Sequence, residues 1–303
     1  MQITHKSIGW IFLVIALLLG EQARVEAAPI TFNTALPVGK GEFIWREKFF
    51  RRIREDETAF PDRQVEINGI TTAIGYGVTS NWALFGVLPL LDKQLEVSTS
   101  AGRIQRQTRG IGDLQLFARY TILKNDTPGK TFRLAPLFGV VIPTGKDDDA
   151  DAFGRLPRTL QTGTGAWGGF AGLIATYSTV SYQFDTQLVY LDQGSDEGFE
   201  AGAVSRLDLS FQYRLRPGKI DRDTKGFLYG VLESNLVKTE RDQINQQAVA
   251  DTGGTQWFLS PGIQYITRRW VWEFAIQLPV SQNMNGNAIR DDYILHAGFR
   301  RNF

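Results

Sequence analysis

The chain has 303 residues, with 33 Lys and Arg against 32 Asp and Glu, a formal net charge of +1. That balance excludes a basic surface that would attract nucleic acid over long range. The absence of cysteine excludes a disulfide framework, a thiolate zinc site and a lipid-anchored N-terminal Cys.

His5 and Lys6 precede the apolar run Ile8 to Leu19, and polar Glu21 to Glu26 then leads to small Ala27 and Ala28. This is the three-part plan of a secretory signal peptide, with cleavage expected after Ala27. As a membrane anchor the run is too short, because crossing the hydrocarbon takes about 20 apolar residues. The expected organisation is a signal peptide over 1–27, a short periplasmic N-terminal segment over 28–40 and a barrel over 41–303. The segment is too short for the plug domain of an energised receptor and long enough to occlude a lumen only in part.

Beyond Pro37 the dominant period is two. Leu207, Leu209, Phe211, Tyr213 and Leu215 alternate with Asp208, Ser210, Gln212 and Arg214. The same pattern recurs in Leu114 to Ile122, Tyr182 to Tyr190 and Trp270 to Leu278. With 20 Phe, 9 Tyr, 7 Trp and 31 Gly, the composition also favours an all-β fold. Strands are predicted over 41–53, 65–78, 82–95, 111–123, 131–143, 166–177, 180–192, 203–216, 226–238, 255–267, 269–281 and 292–303. A soluble sandwich also alternates, so periodicity alone does not say which face meets water.

Link lengths and aromatic placement do. The links after even strands are mostly brief (Thr79 to Asn81, Ser178 to Thr179, Arg268), whereas those after odd strands are long (Glu96 to Gly110, Thr144 to Gly165, Thr239 to Gly254). Outer-membrane barrels have this asymmetry of tight periplasmic turns and longer external loops. Tyr76, Tyr120, Tyr177, Tyr213 and Tyr265 stand near the exits of even strands, and Trp82, Tyr182 and Trp270 near the re-entries. All gather at the short-turn end, as the interfacial girdle of a membrane barrel requires. The expected fold is therefore a transmembrane antiparallel up-and-down β-barrel of about twelve strands in the bacterial outer membrane. Outer-membrane lipid and lipopolysaccharide are its expected surroundings. Terminal Phe303, on a strand that keeps the oily register except at Arg301, resembles the signal read by the barrel assembly machinery; Arg301 is expected to snorkel towards the periplasmic surface.

The block Arg109 to Gly145 carries Gly110, Gly112 and Asp113 opening a strand that ends Ala118, Arg119, Tyr120, and Pro143, Thr144, Gly145 closing the next. It resembles the core of the meta-pathway phenol degradation family, also described as outer-membrane transporters. Weaker matches run through Gly163, Thr164, Gly165 and the later strands, and Val78 to Pro89 is similar to the family's preceding hairpin. The resemblance covers most of the mature chain and implies a transport role tied to aromatic degradation, with no cofactor.

Three other motifs offer candidate chemistry. Asp147, Asp149 and Asp151 fit calcium-loop positions one, three and five, but Ala152 stands where Gly is needed and Arg158 where the bidentate Glu belongs. A solvated loop or one sharing a divalent ion with lipopolysaccharide is the simpler reading. Gly163 to Gly172 lacks the Lys of a phosphate loop and reads as a close-packed strand start. His296 is the one histidine beyond the expected signal peptide; it faces the lumen, and no nucleophile motif marks a partner, so neither catalytic nor metal residues are assigned.

The inward register instead predicts a polar lumen of Asp113, Gln115, Arg119, Arg133, Gln183, Asp185, Gln187, Arg206, Asp208, Gln212, Arg214, Glu273 and Gln277, with Phe85, Phe117, Phe170 and Phe258 as apolar patches. Arginines and carboxylates there could brace a small barrel as readily as line a selective path. The phenylalanines favour passive uptake of a small aromatic or otherwise apolar molecule. The alternatives are a non-conducting barrel with ligand- or partner-binding loops, and a barrel enzyme.

Overall fold

The computed structural model describes residues 27–55, 62–220 and 224–303. Apart from Ala27, the expected signal peptide lies outside the described residues. Twelve strands run up and down: β1 (Phe43–Arg54), β2 (Gln64–Gly77), β3 (Trp82–Thr99), β4 in three pieces (Gly102–Ile111, Leu114–Tyr120 and Leu123–Thr127), β5 (Lys130–Ile142), β6 (Gly168–Thr179), β7 (Tyr182–Gln193), β8 (Val204–Arg216), β9 (Gly226–Thr239), β10 (Gly254–Thr267), β11 (Trp270–Met284) and β12 (Tyr293–Asn302). Each pairs antiparallel with its neighbours in sequence, and β12 closes on β1 from Ile44↔Asn302 to Ile53↔Tyr293. Closure leaves no sheet edge, the condition for strands to cross hydrocarbon. Twelve strands stand where the alternation places them, with boundaries within about three residues except at β3 and β4.

Which face of the wall meets lipid is settled by what is buried. Among the largest fully buried side chains are Gln183, Gln212, Gln264, Glu233, Asn235, Asp185 and Asp208, while Leu188 is 58% exposed and Leu232 and Trp272 are each 52% exposed. A water-soluble protein hides its leucines and exposes its carboxylates; here the order is inverted, as it is when hydrocarbon surrounds the barrel.

The short turns (Val78 to Asn81, Val180 to Ser181, Arg268 to Arg269) share one end with the aromatic girdle. Tyr76 packs on Phe43 at 4.6 Å between ring centroids, Trp82 on Tyr120 at 4.6 Å, and Tyr177 on Tyr182 at 6.1 Å. Tyr213 and Tyr265 stand exposed in the same band. Arg301 lies over Trp270 at 5.1 Å and over Phe303 at 4.4 Å, so its charge sits within the girdle. Phe303 donates its N–H to the Phe43 carbonyl at 2.9 Å, tying the last residue to the first strand.

Two expectations are corrected. The link from Glu96 to Gly110 is no open loop: β3 and β4 continue past the barrel as a two-stranded ribbon from Leu90↔Ile111 to Thr99↔Gly102. Cross-strand polar pairs hold it, Arg103 to Glu96 at 2.9 Å and Gln107 to Asp92 at 2.9 Å, which suits a ribbon wetted on both faces. The second correction concerns the segment before β1. It does not lie in the periplasm but runs inside the barrel, where Ile30 and Ala35 are fully buried. Its apolar residues meet interior apolar ones: Ile30 packs with Val231 and Ala275, and Ala35 with Phe117, Ala135, Leu137 and Ile174.

Candidate functional site

The lumen is organised by that internal segment. A stretch without its own secondary structure must place every backbone group, and carboxylates on the barrel wall take several of them. Glu233 on β9 accepts the N–H of Ile30 at 2.6 Å, the N–H of Thr31 at 3.0 Å and the Thr31 hydroxyl at 2.5 Å. Asp185 on β7 accepts the Thr34 hydroxyl at 2.9 Å and the Gln183 and Gln212 amides at 2.8 and 3.1 Å. Thr176 donates to Asp185 and accepts the N–H of Ala35 at 2.8 Å.

The segment's carbonyls turn to cations and amides. Arg119 on β4 donates to the carbonyls of Thr34 and Leu36, the latter at 2.6 Å, and its guanidinium lies 4.9 Å over the Phe85 ring. Arg46 on β1 donates to the Pro29 and Ile30 carbonyls at 2.9 Å and to Glu273 on β11 at 2.7 Å. Gln183 and Gln264 reach the Ala27 and Ala28 carbonyls at 3.2 and 2.6 Å.

On the other side of the segment two cavities remain. One, of about 380 Å³, is lined by Thr31, Phe32 and Asn33 of the segment and by Arg46, Lys48, Gln115, Phe117, Leu137, Phe170, Gln187, Val189 and Arg206, among others. The second, of about 230 Å³, lies alongside Arg119, Arg133 and Phe85 and shares Phe32, Asn33, Arg46, Val87 and Phe117 with the first. Phe85 and Phe117 are stacked at 4.7 Å, and Phe117 meets Phe170 edge-on at 5.8 Å. Gly139 makes room for that cluster: a Cβ there would stand 2.5 Å from both Phe117 Cβ and Phe170 Cζ. Gly75 does the same for Phe85, whose ring would lie 2.6 Å from an added Cβ.

Of the residues expected to line the lumen, Phe85, Gln115, Phe117, Arg119, Arg133, Phe170, Gln187 and Arg206 border these cavities. Asp185, Asp208 and Glu273 are interior but engaged elsewhere; Asp208 accepts from Arg206 at 3.0 Å and Asn235 at 2.8 Å. Phe258 is buried without bordering either cavity. Asp113 accepts the Gly145 and Thr164 N–H groups at 3.0 and 2.9 Å, bracing the 144–165 loop at the break in β4. Arg214 lies 5.9 Å over Phe227 and borders neither cavity.

Lys48 and Arg46 do not stand out as site residues in the sequence, and the internal segment, expected to occlude the lumen in part, also walls the cavities. On β1 charged residues occupy both registers (Arg46, Lys48 and Arg52 on one, Glu47 and Arg51 on the other), which hides the inward face from a period-two reading. Glu233 and Asn235, by contrast, alternate with Leu232 and Leu236 and carried a readable signal.

The external end is covered by loops. Leu156 and Leu160 pack on Leu95, and Lys93 donates to the Gln161 carbonyl at 2.5 Å. The acidic run is taken up by cations and hydroxyls: Asp147 by Arg158 at 2.9 Å, Asp149 by Thr108 at 2.7 Å, and Asp151 by Arg106 at 2.8 Å. His296 shares a hydrogen bond of 3.1 Å with Gln277. Among the described residues no hydroxyl is bonded to it.

No curated protein sequence matches the chain. Among solved structures, the COG4313 outer membrane channel from Pseudomonas putida F1 superimposes with a TM-score of 0.67 at 16% identity, covering 92% of this chain and 100% of that one. The β domain of the Bordetella autotransporter BrkA gives 0.45 at 12% identity, covering 87% of this chain and all 100% of the domain. The CymD monoaromatic hydrocarbon channel gives 0.40 at 11% identity, covering 94% and 95%. The first of these likenesses supports the fold, that of a closed outer-membrane barrel. A family model extends over residues 64–278, most of the barrel including the two glycine-rich strand ends singled out above, and by that match the chain belongs to the family described as "Putative MetA-pathway of phenol degradation".

Proposed function

We propose that this chain is a passive outer-membrane uptake barrel for small molecules with an aromatic or otherwise apolar body. The observation that carries the reading is the pair of adjoining cavities beside the internal segment, walled by Phe85, Phe117 and Phe170 together with polar side chains. Cavities that recognise small ligands are mostly apolar with a few placed polar groups, and this lining has that character. Outer-membrane lipid and lipopolysaccharide would surround the exposed leucines, and Phe303 would present the chain to the assembly machinery. No catalytic or metal role is assigned: His296 is held by an amide rather than by a nucleophile.

In vesicles, with protein-free vesicles subtracted, phenols should enter faster than sugars of equal size. Equal rates would remove the apolar selectivity. A second reading, a barrel that binds ligands or partners without conducting, is favoured by the segment that occupies the interior and the loops that cover its external end. Planar bilayers separate the two, because a closed barrel gives no conductance steps. A hydrolytic activity abolished by His296→Ala would overturn the non-catalytic assignment.

A further inference from the structure

The two cavities are electrostatically one-sided. The larger is lined by Arg46, Lys48 and Arg206, the smaller by Arg46, Arg119, Arg133 and Arg300, and among the described residues no carboxylate lines either. The interior carboxylates are turned away and occupied: Glu233 by the segment's N–H groups, Asp185 by threonines and glutamines, and Glu273 by Arg46 and Gln264. Arg46 and Arg206 each have a carboxylate partner, Glu273 and Asp208. Lys48 does not. Although Glu273 and Glu233 act on it electrostatically, its ammonium makes no hydrogen bond or salt bridge among the described residues. The Gln115 side chain, on the same cavity wall, is likewise without a hydrogen bond among the described residues.

A cation held inside the lumen without a directly bonded counter-ion is costly, and an anion that reaches it lowers that cost. The opposite wall sets a second requirement. Phe117, Phe170, Leu137 and Val189 border the same cavity, so a small hydrated anion would satisfy Lys48 while leaving an apolar surface wet. A neutral hydrocarbon would cover the apolar wall and leave the ammonium unpaired. A cationic solute would meet like charge on both cavities.

We propose that the solute taken by this lumen is an amphipathic anion, a monocarboxylate on an aromatic or branched aliphatic body, with its carboxylate at Lys48 and its body against Phe117 and Phe170. The volume of about 380 Å³ suits a single small acid of this kind. The inference rests on the reading of the lumen as a solute site and narrows it to one charge class.

The test is binding to the intact barrel in lipid nanodiscs, by calorimetric titration with phenylacetate and with its neutral counterpart 2-phenylethanol, empty discs subtracted. Phenylacetate should bind at least about tenfold more tightly, the scale expected when a charged partner is lost. Lys48→Met should abolish that preference while leaving the alcohol's affinity little changed, and Lys48→Arg should retain most of it. Equal binding of acid and alcohol, or an undiminished preference in Lys48→Met, would sink the charge assignment but leave uptake of neutral solutes standing. Failure of both probes to bind would remove the solute site and the uptake reading with it. Should Lys48→Met not assemble, the wild-type reversal potential under a potassium chloride gradient decides: anion selectivity is expected, and cation selectivity would overturn the inference.

Discussion

The interior has two faces built from one alternating register. The face formed mainly by β6, β7, β9 and β10 carries Asp185, Glu233 and a set of glutamines, each spent on the internal segment or on a neighbour. The face formed by β1 to β5 carries Arg46, Lys48, Arg119, Phe85 and Phe117 and, with Phe170 of β6 and Val189 of β7, borders open volume. The difference lies in what is left over: the first face is a socket, spent on the segment and its neighbours, whereas on the second Arg46 and Arg119 also hold the segment's carbonyls but Lys48 and the rings still border open volume.

The largest effect should come from removing the segment itself. Deleting residues 28–40 should raise single-channel conductance several-fold while the barrel still migrates faster unheated than boiled in detergent. Closure through β1 and β12 uses ten paired positions from Ile44 to Ile53 and none from the segment. Unchanged conductance would mean that the cavities beside the segment lead nowhere.

A smaller change keeps the segment but loosens it. Glu233→Ala removes the acceptor of the Ile30 and Thr31 N–H groups, and hydrogen bonds to a charged group each contribute about 1.5–3 kcal/mol. Hydrogen exchange at those two amides should accelerate by about tenfold to a hundredfold, with Glu233→Gln intermediate. Protection that stays at the wild-type level would show that apolar packing of Ile30 and Ala35 suffices to seat the segment.

The division between socket and cavity was only half legible in sequence. Strand positions, the lipid face and the girdle follow from period-two patterning, because hydrocarbon imposes the same demand on every strand: Tyr182, Phe184 and Leu188 out, Gln183, Asp185 and Gln187 in. What an inward residue touches obeys no period. Asp113 and Asp185 are both inward-register aspartates, yet one braces an external loop and the other the segment. The segment was also hard to read, since its hydrogen bonds go to residues up to 236 positions away, as from Gln264 to Ala28. Lys48 went unnoticed because the charged residues on both registers of β1 conceal its inward face.

On the cavity face, Gly139→Val tests whether the phenylalanine cluster sets the passage. An added Cβ would stand 2.5 Å from Phe117 Cβ and Phe170 Cζ and 2.6 Å from the Leu116 carbonyl oxygen, so the Phe170 ring must shift into the volume it now borders and the neighbouring strand must give with it. Overpacking of this kind costs about 1–3 kcal/mol, and faster migration unheated than boiled shows whether the variant has assembled. Uptake of aromatic solutes should fall several-fold. An unaffected rate would place the path elsewhere in the lumen.

The smallest effect belongs to neither face but to the loops above them, and it tests whether the external cover moves independently of the interior. The Arg106 guanidinium, hydrogen-bonded to Asp151, holds that carboxyl below its ordinary value of 3.8. A carboxyl depressed on folding contributes stability that is fully present above its unfolded value and is lost as pH falls through the folded one. The pair is half-buried but sits in the external loops, where solvent screening keeps the contribution small. Below the ordinary aspartate range, protection of the Phe153 amide, which donates to Asp151 at 2.8 Å, should therefore drop relative to its intrinsic exchange rate. Arg106→Gln should shift that loss to higher pH, and Ile30 should be untouched in both proteins. A matching loss at Ile30 would mean that loop and segment open together, and the two-faced interior would then behave as one cooperative unit.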